Sequence, residues 1–217
     1  MVGVVGKAGA AAPEAVTGAF KMIYSRTPKG SSEPSFQVKM DGTFWAAKDS
    51  FAAETAYPMP GGASEKVRIL VLDRGSKLLL LYPETMNYRS VQLGAGDKEY
   101  LKTIPSTIGM YFDATPEQLL KDGINIALQG KVKVNNENLL AYRARLPDGV
   151  ESTEIGRGGQ EWNLMLYFSP SNRRVRMMRA YTADADLKLY ISGVKHAEVN
   201  PARFKVPSGY YEMKPGK

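Results

Sequence analysis

The sequence predicts a mainly β, antiparallel fold in one domain, and three observations carry that prediction. From Phe20 onward, apolar and polar residues alternate with period two in many short runs, as strands with two unlike faces require. Clusters of Gly, Pro, Asp and Asn separate the runs and supply turn conformations. The chain has 217 residues, 43% of them hydrophobic and 24% charged, which is enough apolar material for a substantial core. All-β domains of this length need no division, and no internal repeat or linker marks one here.

In chain order, Phe20, Met22 and Tyr24 share one phase against Lys21, Ile23 and Ser25, and Phe36, Val38 and Met40 share another against Gln37 and Lys39. Gly42 is expected to break that run before Thr43 to Ala47, and Phe51 to Tyr57 is a further strand. Pro58 to Gly62 is a loop. Val67 to Leu72, Lys77 to Tyr82 and Met86 to Leu93, joined by Asp73 to Ser76 and Pro83-Glu84, read as a meander. Leu78 to Leu81 are consecutive leucines in a segment of strand length, so both faces of that strand meet apolar material. A second packed layer would explain this, and so would a curved sheet with an apolar interior.

The residues from Asp97 to Gly123 interrupt the pattern. Thr115-Pro116-Glu117-Gln118 supplies a capping hydroxyl, a proline at the first helical position and a glutamine two residues after it, so a helix is predicted from Pro116 to Lys121, with Gly123 ending it. Leu101, Ile104, Ile108, Tyr111 and Phe112 fall at helix-like spacings that Pro105 and Gly109 divide. Strands resume at Ile124 to Val134, Leu139 to Leu146, Glu161 to Ser169, Val175 to Thr182, Leu187 to Val194 and Arg203 to Val206. Pro147 to Gln160, with four glycines, is an exposed loop. Residues 1–17 are expected to be flexible, although Ala8 to Glu14 also reads like the small-residue end of a secretory leader.

Composition excludes several chemistries. With no cysteine there is no disulfide framework, thiol nucleophile or Cys-ligated metal, and a single histidine forbids a multi-histidine metal site. That residue, His196, sits between a strand and Asn200-Pro201 and reads as a surface histidine. Gly3 to Ala8 has neither the spacing nor the hydroxyl of a phosphate loop, and Gly156 to Gly159 lies between antiparallel strands. The acidic pairs Glu151/Glu154 and Asp184/Asp186 lie near turns. No catalytic residue, metal ligand or cofactor is therefore assigned.

The formal net charge is +7, and Arg143, Arg145, Arg174 and Arg176 fall on the polar phase of their strands, as an outward basic surface. Aromatics are mostly in the opposite phase, which argues against nucleic acid. The remaining readings are a solvated face or contact with anionic lipid headgroups or an acidic envelope partner.

The hairpin from Val67 to Val91, with Asp73-Arg74-Gly75, Lys77 to Pro83 and Met86 to Val91, resembles that of the periplasmic outer-membrane lipoprotein carriers, the LolA-like proteins. Leu166 to Pro170, Arg173 to Met177, Ile191 to Val194, Asn200-Pro201 and Phe204 to Tyr210 are similar to that family's closing strands, in the same order. The resemblance runs from about Phe36 to Met213, with residues 97–123 where the family has its lid helices. It implies a curved antiparallel sheet forming an incomplete β-barrel with a short helical lid on its concave side. It further implies a binder of acyl chains of a lipid or lipoprotein, acting as a carrier or sorting protein of the bacterial envelope, periplasmic or outer-membrane-associated. The alternative on the same fold is a non-transporting sensor or interaction module.

On that reading the cavity is lined by Phe36, Val38, Val67, Ile69, Val71, Leu78, Leu80, Trp162, Leu164, Leu166, Phe168, Val175, Met177, Leu187, Leu189 and Ile191. The lid presents Leu101, Ile104, Ile108, Tyr111, Phe112, Leu119 and Leu120. The ten methionines suit a cavity for flexible chains and equally an ordinary core.

Overall fold

Twelve strands form one sheet whose order is β12-β6-β5-β4-β3-β2-β1-β11-β10-β9-β8-β7. The structure, a computed structural model, describes residues 14–27, 30–31, 33–47, 49–59, 62–73, 76–91, 114–121, 123–144 and 163–213. The strands are β1 (Glu14–Arg26), β2 (Phe36–Ala47), β3 (Ser50–Pro58), β4 (Ser64–Leu72), β5 (Lys77–Tyr82), β6 (Asn87–Ser90), β7 (Ile126–Val134), β8 (Glu137–Ala144), β9 (Asn163–Phe168), β10 (Val175–Tyr181), β11 (Ala185–Glu198) and β12 (Tyr211–Glu212). All ladders are antiparallel except the two-residue pairing of β12 with β6.

Two meanders, β1 to β6 and β7 to β11, join where β1 pairs with β11. The sheet is curved and not closed, with β6 near one edge and β7 at the other. Helix α1 (Pro116–Lys121) falls between β6 and β7 in the chain. Its start follows the expected chemistry: the Gln118 N–H donates to Thr115 Oγ1 at 3.3 Å, and Pro116 occupies a position that needs no donor. Its end is closed by the Ile124 N–H donating to the Leu119 carbonyl at 2.9 Å. Leu119 is fully buried, a contribution of about 2 kcal/mol.

Apolar residues of both phases are covered, but by different material. Phe44, Ala53, Leu166, Phe168, Val175, Ile191 and Leu119 belong to one core on the face that carries α1, called here the inner face. On the outer face Ala52, Leu70, Leu79 and Leu81 are covered by Phe204, Val206 and Tyr210 of the C-terminal segment. The leucine run is thus apolar on both sides because Leu78 and Leu80 pair in phase with Val71 and Ile69, whereas Leu79 pairs with Leu70 and Leu81 with Arg68. A third cluster, Leu139, Ala141, Tyr167 and Met177, lies on the outer face of the second meander.

Four expectations are corrected. Residues 14–17 belong to β1 and pair with β11, Val16 and Thr17 pair with β2 as well, and Ala15 and Val16 are buried. Gly42 does not end a strand: β2 runs through it, and a side chain there would collide with the Glu54 carbonyl and press on the Phe20 ring. Arg203 to Val206 is not a strand. Asn200 accepts the Ala202 N–H at 2.9 Å, Pro201 follows, and Pro201–Phe204 turns as a 3-10 helix. Met177 is the fourth. The register of β10 against β9 shifts between Val175 and Met177, so Arg176 is an extra residue and Met177 points to the outer cluster, with Met178 taking its place inside.

Gly42→Ala is expected to lower the unfolding free energy by about 2 kcal/mol, against the usual small effect of alanine in a strand, because β3 and the Phe20 ring must give way. Urea denaturation of the two proteins checks it, and an unchanged midpoint would show that the two strands are not held so close.

Candidate functional site

The inner face is where the ladders bring the candidate residues together. Pairing aligns Arg26 with Phe36 and Ala185, Tyr24 with Val38 and Leu187, Met22 with Met40 and Leu189, and Phe20 with Gly42 and Ile191. Phe51 faces Val71, Ala53 faces Ile69, and Thr55 faces Val67 on the same phase. Leu164, Leu166 and Phe168 meet Ala180, Met178 and Val175. Of the expected cavity residues, Phe36, Val38, Val67, Ile69, Val71, Leu78, Leu80, Leu164, Leu166, Phe168, Val175, Leu187, Leu189 and Ile191 share this face. Met177 does not, and Trp162 lies outside the described residues.

Burial divides the face into two halves. Phe44, Leu166, Phe168 and Val175 are sealed near α1, and the Tyr142 ring meets Phe168 edge-on with centroids 5.3 Å apart. Toward the other end Met22, Tyr24, Val38, Met40, Leu187 and Leu189 are only partly buried, and Phe36 is 50% exposed. There a cleft of about 610 Å³ is lined by Tyr24, Arg26, Thr27, Ser35, Phe36 and Asp184. The Tyr24 and Phe36 rings stand edge to face at 6.2 Å. The sequence reading named Phe36 and Val38 but missed Met22, Tyr24, Arg26 and Met40, although their alternation continues the same phase.

For the lid, Leu119 is packed into the inner core and Leu120 is 54% exposed; Leu101, Ile104, Ile108, Tyr111 and Phe112 lie outside the described residues. Of the arginines expected on the basic surface, Arg143 and Arg176 lie apart. Arg143 donates to Asn163 Oδ1 at 2.9 Å near one end of β8, and Arg176 pairs with Glu137 at 3.4 Å at the other, six residues or about 20 Å away. Arg174 precedes β10 and is partly buried; Arg145 lies outside the described residues. Among the described residues no group of three or more acidic or histidine side chains is placed to hold a metal, and no helix is long and apolar enough to cross a membrane.

Charge on the outer face is paired locally. Glu54 receives Arg203 at 2.7 Å and lies 3.3 Å from Arg68, while the Arg203 guanidinium stacks over Trp45. Burial lowers the Arg68 pKa; Glu54 counters this and Arg203 adds to it. On β10 and β11, Arg179 donates to both carboxylate oxygens of Asp186, at 2.8 and 3.1 Å, and Lys188 lies 3.2 Å away. Burial acts to raise the Asp186 carboxyl, but the hydrogen bonds and charge of Arg179, with Lys188, outweigh it and hold it below the ordinary value of 3.8.

No family model matches the chain, and no curated protein does. Among solved structures it is similar to an uncharacterized conserved protein from Thermus thermophilus, at 10% identity over 90% of each chain with a TM-score of 0.44. It is also similar to a putative outer membrane lipoprotein-sorting protein domain from Vibrio parahaemolyticus, at 8% identity over 88% of each chain with a TM-score of 0.37. A third likeness is to the MucA/MucB complex of Pseudomonas aeruginosa, at 11% identity and a TM-score of 0.37, covering 88% of this chain and 55% of that one. The chain thus spans about half the length of the matched chain in that complex. The open antiparallel sheet with one short helix packed on its inner face is the architecture expected from the sequence.

Because the folded-state pKa of Asp186 is depressed, its contribution to stability is present above the unfolded value and is lost as pH falls through the folded one. Asp186→Asn is expected to cost about 1 kcal/mol at neutral pH, after allowance for partial exposure. The difference in thermal midpoint from the unsubstituted protein should shrink below about pH 4. A gap that stays constant down to about pH 2 would remove this pair from the acid response.

Proposed function

We propose that the chain binds the acyl chains of a lipid or lipoprotein on its inner face, as a carrier or sorting protein of the bacterial cell envelope. The observation that carries this reading is the division of one continuous apolar face into a sealed half under α1 and a half-exposed end rich in methionine and aromatic side chains. A monomeric core has no need to leave Phe36, Val38, Met22 and Met40 accessible in adjoining rows. A flexible hydrocarbon chain suits such a surface, since thioether side chains adapt to variable shapes. About twelve buried methylenes are worth on the order of 10 kcal/mol before ordering costs. The role is binding rather than catalysis, in keeping with a chain that has one histidine and no cysteine.

A second reading, a non-transporting envelope sensor or interaction module, is favoured by β7. That end strand exposes Leu128 by 57% and Val132 by 37%. Native mass spectrometry of gently purified protein separates the two: co-purified lipid supports carriage, and lipid-free protein favours the module.

Within the carrier reading, Val38→Asp places a charge among the exposed rows and is expected to weaken uptake of a pyrene-labelled acyl chain about tenfold or more. Lys39→Asp, in the opposite phase of the same strand, should leave uptake unchanged. Equal binding by all three proteins, with unchanged circular dichroism, would show that the inner face is not the binding surface.

A further inference from the structure

We infer that the cleft at the open end of the inner face is an oxyanion headgroup subsite, with Arg26 as its cation, so that the ligand is an amphiphile with a carboxylate or phosphate head. The inference rests on the acyl-binding reading and adds the chemistry of the other end of the ligand.

Arg26 is the last residue of the inner phase of β1, following Phe20, Met22 and Tyr24. Its partners in the ladders are Phe36 and Ala185, so a cation terminates a row of otherwise apolar and aromatic side chains. Steps of two residues advance about 7 Å along a strand, and the row from Phe20 to Arg26 spans about 20 Å. An amphiphile lying along it meets methionine and aliphatic surface first, then the Tyr24 and Phe36 rings, and last the positive charge of Arg26.

The polar groups of the cleft have the character an oxyanion needs. Arg26 Nη2 donates to Asp184 Oδ2 at 3.4 Å, a long contact, and the side chain is 61% exposed, so a guanidinium with five N–H donors keeps capacity for a second acceptor. Thr27 and Ser35 line the same cleft, and the Ser35 hydroxyl donates to the Arg26 carbonyl at 3.5 Å. Asp184 is itself engaged by Thr182 Oγ1, which donates to Oδ1 at 2.8 Å. It is therefore an exchangeable partner of Arg26, and an incoming anion can take its place. Carboxylate and phosphate share the planar fork recognition that arginine provides.

The test uses three probes with the same pyrene-labelled chain: a fatty acid, its methyl ester and a phosphatidylglycerol. The unsubstituted protein should bind both anions more tightly than the ester. Arg26→Gln should weaken the anions about three- to fivefold and leave the ester unchanged, as an exposed ion pair predicts. Asp184→Asn, which removes the competing carboxylate, should strengthen them. The anion that loses more affinity in Arg26→Gln identifies the head, carboxylate or phosphate. If Arg26→Gln changes acid and ester alike, or neither, the headgroup subsite is wrong while acyl binding stands. If no probe binds the unsubstituted protein, the acyl reading falls and takes this inference with it. Matching thermal midpoints for the variants keep the comparison one of binding.

Discussion

The constraint on which this structure depends is phase. A side chain in a strand has two directions only, so a sheet of twelve strands keeps one apolar inner face only where every ladder aligns like with like. The register shifts are therefore the sensitive points. In β11 an extra residue near Gly193, at φ 62°, offsets the pairing with β1 so that Thr17 meets Lys195 while Ala19 meets Ser192. In β10 the extra residue is Arg176, and it exchanges Met177 for Met178 on the inner face. Each bulge also bends its strand, and bending is what curls an open sheet around α1. The device that sets which residues line the interior is thus the same one that makes an interior.

Aromatic rings and glycines enforce this alignment in the middle of the sheet. Gly18 faces Phe44, and Gly42 faces Phe20, so each ring lies over a position without a side chain. Phe44 can then be sealed in the core while β1, β2 and β3 stay close. The outer face has a separate solution. The C-terminal segment is tied down by the Arg203–Glu54 pair, the stacking of Arg203 on Trp45, and the hydrogen bond from Ser90 to Glu212 at 2.7 Å. The outer apolar surface of β3 to β5 is thus covered by the protein's own chain, while the far end of the inner face stays partly open.

Much of this was legible in the sequence for local reasons. Period-two alternation located the long strands, and Thr115-Pro116 with Gly123 delimited α1 correctly, because caps and strand faces are encoded within a few neighbouring residues. What could not be read there depends on residues far apart. Nothing around Arg176 distinguishes a bulge from a regular step, since the shift is defined by Phe168 and Tyr167 on β9. Gly42 looked like a break because its reason to be glycine is the Glu54 backbone twelve residues away. The cap at Asn200 was legible in principle: Asn followed by Pro is a turn signal, and the apolar Phe204 and Val206 obscured it by imitating a strand. The missing members of the site, Met22, Tyr24 and Arg26, required knowing that β1 pairs with β2 and β11.

The same topology explains why the two halves of the inner face differ. Helix α1 packs against the end of the face near Phe44 and Phe168, where Leu119 completes the core. Burying Leu119 and its neighbours removes those side chains from competition for any ligand, at a gain of a few kcal/mol to the fold. At the far end the rows through Met22, Tyr24 and Arg26 retain partial exposure, and their unrealised burial is the free energy an apolar partner can still gain. A face closed throughout would be more stable and would bind nothing; a face open throughout would expose its central aromatics to aggregation. Placing the seal at one end and the cation at the other gives the remaining surface a direction, from hydrocarbon toward charge.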